Sequence, residues 1–155
     1  METAFVRKAS FEDLEQLYAF EQQLINTERP FDSTLKPGLI HYYDLRAMID
    51  APGVLLLVAE IGSGIVASGY ARIEEAKPYL KHPNHAYLGF MYVVPAFRGK
   101  GINQQIIAAL RTWARSKDIT ELRLDVYFEN LAAIKAYEKI GFSKHMIEMR
   151  LGVQE

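Results

Sequence analysis

Apolar positions along the chain change their spacing several times, and each change marks an element. Thr3 to Lys8 predicts a short strand. Ser10 and Asp13 form a capping-box-like start, and Leu14, Leu17, Tyr18, Leu24 and Ile25 follow at helical spacing until Pro30. A polar stretch, Arg29 to Pro37, leads to a second helical segment over Leu39 to Ile49, closed by Pro52-Gly53. Val54 to Ile61 and Ile65 to Ile73 then predict two strands of a hairpin around Gly62-Ser63-Gly64. His85 to Val94 is apolar on both faces, as an interior strand is. A helix over Ile102 to Ser116 carries the stripe Ile102, Ile106, Leu110, Trp113 and Ala114. Leu122, Leu124 and Val126 alternate as a strand, Asn130 to Ile140 is a helix stopped by Gly141, and Phe142 to Leu151 predicts a last strand. The order β-α-α-β-β-β-α-β-α-β gives an α/β fold, a mixed central sheet flanked by helices.

Composition narrows the chemistry. No internal repeat or linker divides the 155 residues, so residues 1–155 are expected to form a single domain. Without cysteine there is no thiolate metal site, disulfide scaffold or cysteine nucleophile. His82 and His85 lie close in sequence, but Pro83 between them spoils a helical metal pair, and no metal is expected. A net charge of −1 without charge blocks leaves no broad footprint for nucleic acid or a membrane surface. Met1-Glu2-Thr3-Ala4 lacks a basic-then-apolar leader pattern, and a cytoplasmic location is expected.

The segment Val94-Pro95-Ala96-Phe97-Arg98-Gly99-Lys100-Gly101-Ile102-Asn103 carries the chemistry. It runs from a central strand through a tight turn into a helix, whose first N–H groups lack partners and lie at the positive end of the dipole. Gly99 and Gly101 let a ligand approach the backbone, and Arg98 and Lys100 add cations. Such a collar suits a diphosphate; the plain alternative is a glycine-rich connection with two solvated cations. A Walker A loop is excluded because Gly101, not Ser or Thr, follows Lys100. The nominal dinucleotide fingerprint Gly62-Ser63-Gly64-Ile65-Val66-Ala67 continues into strand-like sequence instead of a helix, so it reads as a turn.

The run Val93-x-Pro95-x-x-Arg98-Gly99-Lys100-Gly101-Ile102 resembles the acetyl-CoA-binding motif of the GNAT superfamily of N-acetyltransferases, whose signature is Arg/Gln-x-x-Gly-x-Gly/Ala. A second stretch resembles the family's next motif: Leu124-x-Val126-x-x-x-Asn130-x-x-Ala133-x-x-x-Tyr137-Glu138-Lys139-x-Gly141-Phe142. Asn103 stands where the signature ends in Gly or Ala.

The resemblance implies direct transfer of an acetyl group from acetyl-CoA to a primary amine of a small molecule or peptide, with no covalent enzyme intermediate. It implies a pyrophosphate held by Arg98, Gly99, Lys100, Gly101, Ile102 and Asn103, and a pantetheine arm lying along Met91, Tyr92, Val93 and Val94 like an added strand. Gly89 and Pro95 bracket that strand and are expected to mark a bulge or splay. Tyr137 is implied as the acid that protonates the leaving thiolate, although its place beside Ala133, Ile134 and Ile140 also suits a core aromatic. Asn130 is expected to cap its helix, to contact the pantetheine as the resemblance implies, or to do both. Glu74, Glu75, His82, His85, Tyr87 and Asp125 are candidates for the base. The acceptor region, residues 26–43 and 77–87, offers Glu28, Asp32, Tyr42, Tyr43, Tyr79 and Tyr87, with Asp44 beside it. That lining suits a cationic amine, while its tyrosines are equally suited to a homodimer contact. A domain that holds acyl-CoA without turning it over is the alternative function.

Overall fold

The computed structural model describes residues 3–154, which fall into two compact units divided between Asp125 and Val126. In the first unit, alternating or continuous apolar runs become strands β1 (Phe5–Lys8), β2 (Val54–Ile61), β3 (Gly64–Glu75), β4 (Asn84–Val93) and β5 (Leu122–Arg123), in the sheet order β1-β2-β3-β4-β5. The first three pairings are antiparallel and β4–β5 is parallel. Gly62, at φ +63°, and Ser63 make the β2–β3 turn, so the dinucleotide-like glycines serve a hairpin.

Helices α1 (Leu14–Glu28) and α2 (Leu45–Asp50) cover one face of the sheet. Their stripe of Leu14, Leu17, Phe20, Leu45 and Ile49 packs with Leu56, Val58, Tyr70, Phe90 and Tyr92. The amphipathic helix α3 (Ile102–Ser116) contacts β2, β3 and β4 and buries Ile102, Ile106, Ile107, Leu110 and Ala114. Trp113, predicted for that stripe, is only half-buried. Each fully buried aliphatic side chain contributes about 1.5–3 kcal/mol. A Cβ at Gly69 of β3 would stand 2.8 Å from Ile106 and 2.7 Å from Met91 Sδ, so the absence of a side chain there lets α3 sit close. The entrance to α1 is fixed by Asp13, which accepts from the Ser10 backbone N–H (2.8 Å) and from both terminal nitrogens of Arg7 (2.8 and 2.9 Å).

Three predicted elements come out shorter or absent. The second helix begins at Leu45, not Leu39, because the N–H groups of Tyr42 and Tyr43 donate to the Glu21 side chain and Asp44 caps the helix through Ala47 N (3.2 Å). The strand predicted through Val126 ends at Arg123, since β4 pairs with β5 only at Ala86–Leu122 and Tyr87–Arg123. In the second unit, α4 (Leu131–Ile140) is capped by Asn130, whose Oδ1 accepts from Ala133 N (3.3 Å), and it ends at Gly141, at φ +124°. The strand predicted over Phe142 to Leu151 is irregular: its alternation is a propensity, and a strand needs a hydrogen-bonded neighbour to realise it.

Candidate active site

The end of β4 is built around a distortion. Ser68 and Tyr70 of β3 stand opposite Tyr92 and Gly89, so one step of two residues faces one of three and β4 carries a bulge at Phe90–Met91. Phe90 takes φ +54°, a left-handed conformation costing a non-glycine residue about 1–2 kcal/mol. Several contacts hold it there. The Phe90 side chain is buried 5.1 Å from the Tyr43 ring, the buried Ser68 hydroxyl donates to the Phe90 carbonyl (2.9 Å), and Gly89 leaves room for Tyr70. A Cβ at Gly89 would meet the Tyr70 phenol oxygen at 2.5 Å. The bulge expected from Gly89 is thus present.

Beyond Tyr87 the β5 side of β4 has no ladder among the described residues, so an extended ligand could pair there with the backbone groups that β3, Ser68, Tyr43 and Arg98 leave unused. The strand then passes directly into the glycine loop. Val94 N–H makes the last link to β3, donating to Val66 O (2.8 Å), and a short turn over Pro95–Phe97 follows. Arg98 Nε donates to Val93 O (2.9 Å) with its guanidinium 5.7 Å from the Tyr92 ring centre, while Lys100 Nζ lies over Phe97 at 5.4 Å. Both cations are therefore held at the loop.

Gly99 (φ +75°) and Gly101 (φ +79°) set its path; a Cβ at Gly99 would meet nothing within 4 Å, and one at Gly101 only Gln104 Oε1 at 3.8 Å. Their smoothness is not required by the chain's own packing. Gly101 is the N-cap of α3 and supplies no capping side chain, so the first-turn N–H groups face outward without one. Ile102 turns its side chain into the core and offers the site only backbone. Asn103 Oδ1 is buried without a hydrogen-bond partner. This combination of bare backbone donors, paired cations and open space fits a diphosphate.

Met91, Tyr92, Val93, Val94 and Arg98 to Asn103 thus lie along one run of the first unit, from the end of β4 through the glycine loop into α3. Tyr92 is buried, 5.0 Å from Phe20, and supports the loop from below. Asn130 and Tyr137 belong to the second unit, where Asn130 caps α4 and the half-buried Tyr137 packs edge-on to Phe142 at 5.8 Å.

Aromatic and acidic groups cluster beside the bulge. Tyr43 lies 5.7 Å from Tyr70 and Tyr70 6.5 Å from Tyr87; the Arg72 guanidinium sits over the rings of Tyr70 (5.7 Å) and Tyr87 (5.4 Å) and donates to Glu74 (3.0 Å). Tyr87 donates to Asp125 Oδ2 (3.1 Å). Burial, and then the Asp125 charge, push the Tyr87 phenol above its usual range; burial does the same to Tyr43 and Tyr70. These phenols are donors, and Tyr87 is unsuited to be the base. Burial also raises the Glu28 carboxyl, offset by its hydrogen bond with Tyr42.

Other predicted acidic and basic groups lie elsewhere or are engaged. Tyr79 is exposed, Asp32 holds Thr34 through its backbone N–H (2.9 Å), and His85 Nε2 and Glu74 Oε1 are 3.3 Å apart. The sequence reading missed the buried Glu21 and its partner His41. The signal was available: Glu21 falls four residues after Leu17 and four before Ile25, inside the apolar stripe.

The chain matches the Acetyltransferase (GNAT) family over residues 11–142, a span that includes parts of both units. Among curated proteins it is 26% identical over 102 residues to aminoglycoside N(6')-acetyltransferase type 1 of Stenotrophomonas maltophilia, covering 64% of this chain and 65% of that one. It is 32% identical over 94 residues to the enzyme of that name from Klebsiella aerogenes, covering 59% of each. The matches thus span less than two thirds of these relatives' length. Among solved structures, a tetramutant of BH1408 from Bacillus halodurans superposes with a TM-score of 0.86 at 18% identity, over 96% of this chain and 99% of that one. AAC(6')-Iy, in complex with the bisubstrate analog CoA-S-monomethyl-acetylneamine, superposes at 0.75 with 22% identity over 97% and 99%. Glycine loop, splayed strand and family match agree, and the chain belongs to the acetyltransferase (GNAT) family.

Proposed function

We propose that this protein is an acetyl-CoA-dependent N-acetyltransferase whose acceptor is a primary amine on a small cationic molecule. One observation carries the reading: a central strand opened beyond Tyr87 leads straight into a bare glycine collar, so an extended arm and its diphosphate have adjoining seats. Backbone donors from Arg98 to Asn103 hold the diphosphate, with Arg98 and Lys100 balancing its charge. The pantetheine lies along Met91 to Val94, and a backbone N–H freed by the bulge polarises the thioester carbonyl. The amine nitrogen attacks that carbon, the C–S bond breaks, the Tyr137 phenol gives its proton to the leaving thiolate, and the nitrogen's surplus proton passes to water. A phenol, with an ordinary pKa of about 10, is matched to an alkyl thiol. Asn130 steadies the start of the helix that carries Tyr137 and offers its amide to the pantetheine. Glu28, Glu74 and Asp125 around the tyrosine cluster favour a cationic acceptor, as do relatives named for aminoglycosides.

Thiol release from acetyl-CoA, measured across polyamines, amino acids, aminoglycosides and peptide N-termini, tests the reading. At least one amine supports release, and Tyr137→Phe lowers kcat by about 100-fold with CoA binding retained. Binding of CoA with no release for any amine would replace transfer by a ligand-holding role.

A further inference from the structure

Glu21 is a carboxylate with a side-chain exposure of 0%, placed at the centre of the apolar stripe of α1. A buried charge of this kind persists only when donors saturate it. Three consecutive residues supply them: Oε2 accepts from Tyr42 N (3.0 Å) and Tyr43 N (2.9 Å), and Oε1 lies 2.7 Å from His41 Nδ1. The carboxylate therefore places the proton of a neutral imidazole on Nδ1 and leaves Nε2 as a lone-pair acceptor.

The His41 side chain is 52% exposed, and with Tyr18, Tyr43 and Asp44 it walls a depression of about 510 Å³. Tyr18 meets the imidazole edge-on at 6.0 Å. Asp44 spends Oδ1 on capping α2 through Ala47 N. Tyr43 joins this depression to the bulge, because its ring also packs against Phe90.

The geometry points to a second cation subsite: the depression takes the non-reacting ammonium of a diamine or polyamine acceptor. His41 Nε2 and the Asp44 carboxylate accept its N–H bonds, and the Tyr18 and Tyr43 rings flank its charge. The inference rests on the transferase reading and adds to it a preference for acceptors with two amines. The groups facing His41 are Glu21 and Tyr18 of α1, and Tyr43 and Asp44 of its own loop.

The test compares KM for 1,4-diaminobutane and butylamine in the thiol-release assay. The diamine has the lower KM by about tenfold, the worth of one charged hydrogen bond. Asp44→Asn, which keeps a capping side chain, and His41→Gln both bring the ratio toward one with the acetyl-CoA KM held. Equal KM values in the unmodified protein, or an advantage surviving both variants, overturn the subsite. Calorimetry of diaminobutane binding to the CoA complex separates the two readings. Binding lost in Asp44→Asn without turnover anywhere sinks the transferase reading and leaves the subsite; neither binding nor turnover sinks both.

Discussion

The glycine collar and the proposed acceptor wall stand on either side of one bulge and are made in opposite ways. The collar is a single run from Val94 to Asn103, and its working surface is main chain, with Ile102 spending its side chain on the core. The wall is assembled from α1, the loop before α2, β3, β4 and Asp125, and its working surface is side chains. On the proposed reading, the main-chain site meets what is constant, a diphosphate, and has few positions to vary. A wall of side chains from five segments can change its ligand one residue at a time, with the sheet and collar untouched.

The sharpest way to break this contrast is at Gly101. Gly101→Val forces a β-branched residue to φ +79° and puts a side chain before the collar. It weakens CoA binding by about 30-fold or more in calorimetry, whereas Lys100→Ala, removing one exposed charge, costs about fivefold. Equal losses would mean that the cations, not the backbone, hold the ligand. A smaller effect is expected on the other side. Asp125→Asn raises the amine KM by about tenfold and leaves the acetyl-CoA KM unchanged, because its carboxylate meets Tyr87 and the wall.

The smallest effect is a scaffold lesion that favours neither side. Asp13→Asn disturbs the Arg7 pair and the entrance to α1, and lowers stability at pH 7 by about 1 kcal/mol in urea unfolding. The Arg7 hydrogen bonds, opposed by burial, hold the Asp13 carboxyl below its ordinary value. Its contribution is therefore complete above the ordinary carboxylate range and disappears as pH falls through the lowered value, so the variant's deficit narrows toward acid.

The same contrast explains what could be read from the chain alone. The collar is contiguous, and Arg98, Gly99, Lys100 and Gly101 announce it by type and spacing. The bulge was foreseeable from Gly89, though Phe90 as its left-handed residue was not, since tertiary contacts with Tyr43, Tyr70 and the Ser68 hydroxyl hold it there. The wall joins residues as distant as Tyr43 and Asp125, and no local pattern links them. Glu21 shows the limit most plainly: helical periodicity marks its position as buried, but which loop N–H groups meet it is decided by tertiary packing. The same carboxylate shortened the helix predicted from Leu39.

Gly101 also leaves α3 without the side-chain cap that Ser, Asp or Asn would supply, a difference from Gly of only about a few tenths of a kcal/mol. The helix that carries Ile106 and Leu110 into the core therefore starts unfinished in the ligand-free protein. An L side chain at this position would be strained at φ +79°, so a breeding experiment that rewarded heat resistance alone would have little reason to close the opening.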